Sequence, residues 1–108
     1  MAAGTNATVS KTATGTSVAI PVNEHSSGEL PVGLVLDFTT VTAVGTASVE
    51  FTFDDPADSS AVWLALDTMS AKTATAMVAS QMPMRAVRLN VTAYTSGTIF
   101  LRINQGVR

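Results

Sequence analysis

The 108-residue chain has no cysteine, which excludes disulfide stapling, zinc–thiolate sites and thiol chemistry. Histidine and tryptophan occur once each, at His25 and Trp63. Charge is scarce as well: Asp, Glu, Lys and Arg make up 13% of the residues, where a typical soluble domain has about 25%. So lightly charged a surface is poorly suited to a free monomer. Partners, copies of the same chain or a larger assembly, are expected to cover part of it. Six Lys and Arg in all are too few for a nucleic-acid footprint. No apolar run approaches the roughly 18 residues of a membrane span. The start, Met1-Ala2-Ala3-Gly4-Thr5-Asn6, lacks a basic region followed by an apolar run. No secretory signal is therefore expected, and the chain is read as assembling in a cytoplasm. Asn6-Ala7-Thr8 and Asn90-Val91-Thr92 match the glycosylation sequon and are read as chance matches.

Chemistry-bearing patterns are equally scarce. The glycines at 4, 15, 28, 33, 45, 97 and 106 are scattered and make no phosphate-binding loop. No Gly-x-Ser-x-Gly elbow is present to present a nucleophile. His25 lies in a Ser/Gly-rich loop, with no patterned serine and aspartate partners. Asp54-Asp55-Pro56-Ala57-Asp58 is the densest acidic stretch, but it lacks the glycine and distal glutamate of a calcium loop. It is read as a solvated turn. Met77, Met82 and Met84 are read as core-filling residues. The expectation is a non-enzymatic chain with no catalytic residue, cofactor or metal.

What is abundant is Thr, Val and Ala, and the first two favour pleated strands. Residues 1–17 form a low-complexity Ala/Thr/Gly/Ser stretch, read as an extended N-terminal arm held by a neighbouring subunit. From residue 18 to 108 the pattern is one β domain. Ser17–Val22 is a first strand, limited by Pro21 to an edge or an end. Leu34, Leu36 and Phe38 alternate with Val35, Asp37 and Thr39, and Ala47, Val49, Phe51 and Phe53 alternate with Ser48, Glu50, Thr52 and Asp54. These two segments are predicted to be antiparallel neighbours. Ala61–Leu66 is a short apolar segment in which Trp63 is expected to anchor the core. Thr73–Ala79 is a further strand. Val87, Leu89, Val91 and Ala93 alternate with Arg88, Asn90, Thr92 and Tyr94. After Thr95-Ser96-Gly97, Ile99, Leu101 and Ile103 alternate with Phe100, Arg102 and Asn104, which predicts a β-hairpin. Six or seven short strands predict a single-domain antiparallel β-sandwich, jelly-roll or immunoglobulin-like.

The charges are segregated. Residues 24–67 hold all eight acids and no Lys or Arg, while 68–108 hold Lys72, Arg85, Arg88, Arg102 and Arg108 and no acid. Either the halves pair within one domain, or a basic face meets an acidic face on a neighbour. Arg88 and Arg102 are predicted side by side on the hairpin, with Phe100 on the same otherwise polar face. The candidate partner interface is accordingly Lys11, Arg85, Arg88, Tyr94, Phe100 and Arg102.

The run from Met82 to Thr98 (MPMRAVRLNVTAYTSGT), closing with Ile103-Asn104-Gln105-Gly106, resembles small virion proteins of tailed bacteriophages. In those, a Pro-x-x-Ala-[Ile/Val]-Arg-Leu-x-Val-Thr segment and a Ser-Gly turn lead to a strand ending near Gln. The resemblance covers about a quarter of the chain and carries no catalytic or metal residue. It implies a capsid decoration or cement protein, a homo-oligomer in the virion that binds the major capsid protein. The alternatives are a head-to-tail adaptor or tail component, and a small carbohydrate-binding or adhesive module.

Overall fold

The structure is a computed structural model and describes residues 5–22, 32–80 and 84–105. The strands, in chain order, are β1 (Thr5–Lys11), β2 (Gly15–Thr16), β3 (Ile20–Pro21), β4 (Val32–Asp37) and β5 (Val44–Thr52). They are followed by β6 (Leu64–Ala65), a 3-10 turn at Asp67–Met69, β7 (Ala76–Ser80), β8 (Ala86–Ser96) and β9 (Ile99–Gln105). They form two antiparallel sheets. The first has the order β1-β9-β4-β7; the second runs β2-β8-β5-β6, with β3 also paired to β8. The chain is a single-domain β-sandwich, as the composition predicts.

The period-2 alternation selects the core. Val32, Leu34 and Leu36 of β4 and Ile99, Leu101 and Ile103 of β9 are buried on the first sheet. Ala47, Val49 and Phe51 of β5 and Val87, Leu89 and Val91 of β8 are buried on the second. Together they form one cluster with Met69 and Met84. Each fully buried Leu, Ile, Val or Met contributes about 1.5–3 kcal/mol through removal of apolar surface from water.

The connections depart from the sequence reading. Leu34–Thr42 and Ala47–Asp54 are not neighbours, because β4 lies in the first sheet and β5 in the second. The predicted hairpin is not one either. β8 pairs with β5, β2 and β3, whereas β9 pairs with β1 and β4. Both short links thus cross between sheets, and the two crossings pack on each other. Gly97 has φ +84°, and a Cβ there would lie 2.0 Å from the Thr42 carbonyl oxygen. Only glycine fits both the dihedral and the space. Just before this link the β5–β8 register shifts between Thr46 and Ala47, and the alternation flips with it. Ala93, expected inward, is exposed. Tyr94, expected outward, packs against the core and donates its hydroxyl hydrogen to the Gly97 carbonyl at 2.7 Å.

From Thr5 onward, the described part of the N-terminal stretch is strand paired with its own chain. β1 pairs with β9 along its whole length, from Thr5 opposite Gln105 to Lys11 opposite Ile99, and β2 pairs with β8. Backbone hydrogen bonds to a buried neighbour order a segment whose side chains bury little. Pro21 closes β3 at the margin of the second sheet, consistent with its missing N–H.

Candidate interaction surfaces

Each sheet carries one arginine on its outer face, and each arginine is held within the chain. On the second sheet Glu50 of β5 stands opposite Arg88 of β8. Arg88 Nε donates to Glu50 Oε1 at 2.7 Å, and Asn90 Nδ2 donates to Oε2 at 3.0 Å. The Arg88 guanidinium also lies over the Trp63 ring, 4.2 Å from its centroid. Trp63 is therefore not the predicted core anchor. It is half-buried on the outside, where the flat guanidinium covers its face.

On the first sheet Arg102 of β9 reaches Asp37 at the end of β4. Nε donates to Oδ2 at 3.2 Å, and Nη2 lies 3.1 Å from the same oxygen. The guanidinium lies 4.9 Å from the centroid of the Phe100 ring. Asp37 has closer obligations. Its Oδ1 accepts the Thr39 N–H at 2.9 Å, the Thr40 N–H at 3.0 Å and the Thr39 hydroxyl at 3.1 Å, and its Oδ2 accepts the Thr40 hydroxyl. The Thr40 hydroxyl first, then the two backbone amides, hold the Asp37 carboxyl well below the usual carboxylate range, against the opposing effect of burial. This carboxylate shapes the β4–β5 crossing.

Two acids of the acidic half therefore pair within the domain with two bases of the basic half: Asp37 with Arg102 and Glu50 with Arg88. Arg88 and Arg102 are not side by side, because their strands belong to different sheets. Of the six candidate interface residues, only Phe100 and Arg102 share a patch. Tyr94 faces the core. Lys11 ends the inner row of β1, opposite Ile99. Arg85 is exposed at the foot of β8, where its N–H donates to the Thr52 carbonyl. The sequence reading missed the partners Asp37 and Glu50. The signal for Asp37 was present in Asp37-Phe38-Thr39-Thr40, an acceptor followed at two and three residues by donors.

The acidic loop is occupied with its own backbone. Asp55 accepts from the Ala57 N–H, Asp58 from the Ser60 N–H and Asp54 from the Val62 N–H. Among the described residues no three His, Cys, Asp or Glu side chains converge as a metal site. His25 lies outside the described residues, as does Met82. Met84 is buried as expected, whereas Met77 of β7 is 73% exposed. Val18, Val41, Val44, Phe53, Val62 and Leu64 are exposed too. Phe53, expected inward, instead sits beside Phe51 with ring centroids 5.4 Å apart. Leu64 and Phe51 line a shallow depression of about 510 Å³ at the β6 margin.

No protein-family model matches the chain, and no curated protein or solved structure matches it. The class is defined by the fold alone: a small antiparallel β-sandwich whose strand arginines Arg88 and Arg102 are paired with carboxylates of the same chain.

Proposed function

We propose that the chain is a non-enzymatic structural protein of a tailed-phage virion, a decoration or cement subunit that binds the major capsid protein lattice. The observation that carries this reading is the outer surface. Val18, Phe53, Val62, Leu64 and Met77 are exposed on a domain with 13% charged residues. Such a surface suits lasting coverage by partners. The resemblance of the Met82–Thr98 run to small virion proteins supplies the context, and that run includes β8 and its crossing to β9. A cement subunit acts by mass action: it binds the assembled shell and not its free subunits, so the shell is stabilised.

The test is sedimentation of the purified protein with assembled heads of the phage whose genome encodes it. Saturable binding in proportion to lattice sites, with heads that then resist heating, is the expected result. A single ring at one vertex would instead make it an adaptor. No binding to any virion part, with retention of a glycan on an array, would replace the reading with an adhesive module. The Trp63 face argues against that last outcome, since Arg88 already covers it.

A further inference from the structure

The two sheets treat their margins differently. On the second sheet the marginal strands β2, β3 and β6 are two residues long, and β3 ends on Pro21. Short edges and proline are the usual means of stopping edge-to-edge pairing. The first sheet ends on two longer strands, β1 of seven residues, which carries Lys11, and β7 of five, Ala76-Met77-Val78-Ala79-Ser80. No charge occurs in β7, or anywhere from Thr73 to Met84. β7 pairs with β4 on one side, and among the described residues no strand lies on the other. Alternate residues of such a strand turn their N–H and C=O groups outward, where only another strand can pair with them in series.

We propose that β7 pairs antiparallel with β7 of a second copy of this chain, about a two-fold axis through Val78, joining two four-stranded sheets into one of eight. Three observations select a second copy as the occupant. The edge is uncharged, so self-pairing opposes no like charges. Register is the second. A slip of one residue would set inward rows against outward rows, and the full five-residue overlap that avoids this centres on Val78. The third is the fit of large to small. In that register Met77 faces Ala79 of the second copy, whose neighbour across the sheet is Gly33. Gly33 and Ala79 belong to the lining of a shallow apolar depression of about 380 Å³. The exposed Met77 thioether of each copy fills the depression of the other, a role suited to an unbranched, adaptable side chain. On the inner face Val78, packed against the core, meets its own symmetry mate and continues the core across the junction. The contact is isologous and closes at two copies. It stands independently of the virion reading, since it concerns only the chain in solution.

The test is the mass of the purified full chain by sedimentation equilibrium over a range of concentrations. A twofold mass that falls to the monomer on dilution is expected. Met77→Lys with Ala79→Lys should give monomer mass throughout, with an unchanged circular dichroism spectrum, because both side chains are exposed. Met77→Glu with Ala79→Glu should do the same. An equimolar mixture of the two variants should regain the twofold mass, because each introduced ammonium then faces an introduced carboxylate. The proposal is overturned by a wild-type monomer at every concentration, by a mass above twofold, by a dimer that survives the lysine pair, or by failure of the mixture to recover.

Discussion

Arg88 and Arg102 have the same three kinds of neighbour, a carboxylate, an aromatic ring and a strand beneath, yet what depends on them differs. Glu50 takes its only two described donors from Arg88 and Asn90, so the second-sheet cluster consists of outward side chains holding one another. Asp37 takes four donors from Thr39 and Thr40 before Arg102 is counted. On the first sheet the carboxylate belongs to the β4–β5 crossing and the arginine is an accessory. The Arg102 side chain is correspondingly 42% exposed, against 24% for Arg88. Identical chemistry is structural where the acceptor has no other donors, and peripheral where it has.

This contrast can be broken or sharpened by substitution. The largest effect should come from the crossing itself. Gly97→Ala forces a Cβ onto the Thr42 carbonyl and a strained φ, and should lower stability by about 3 kcal/mol in urea unfolding. Asp37→Ala leaves the Thr39 and Thr40 amides without their acceptor and should cost about 2–3 kcal/mol. Glu50→Ala strands a partly buried Arg88 and should cost about 1–2 kcal/mol. Arg102→Ala should cost about 0.5 kcal/mol or less, as partly exposed ion pairs do. If Arg102→Ala matched Asp37→Ala, the carboxylate would depend on its arginine after all and the contrast would fall.

Acid sharpens the same point. The folded Asp37 carboxyl titrates well below its unfolded value, so its stabilisation is complete above the unfolded value of about 4 and is lost as pH falls below that. In chemical denaturation at stepped pH, the wild type should lose more stability than Asp37→Ala from about pH 5 downward, and the two curves should converge.

The alternation of Leu34, Leu36, Val87, Leu89, Ile99, Leu101 and Ile103 made the inward rows and the sandwich legible. It could not show which sheet a strand joins, because a short link with Gly97 serves a hairpin and a crossing equally well. The extra residue near Thr92 that turns Tyr94 inward leaves no periodic trace beyond a single slip. Trp63 was misplaced because its size favours burial, while the covering it finds is a guanidinium from a strand far along the chain. The pairing of the acid and basic halves was visible as one of two readings. Which acid meets which base depended on strand order, and strand order is not written in local pattern.

Since both short links cross between sheets, no long ladder among the described residues is local. The nearest residues joined in the four long ladders are Thr52 and Ala86, and the farthest are Thr5 and Gln105. Each ladder must therefore close a large loop of disordered chain before any contact repays the lost entropy. Folding should be slow for the size of the chain, on the order of milliseconds to seconds. Among the described residues the one short-range strand pair, β5 with β6, is two residues long, so little local structure can form ahead of the rest.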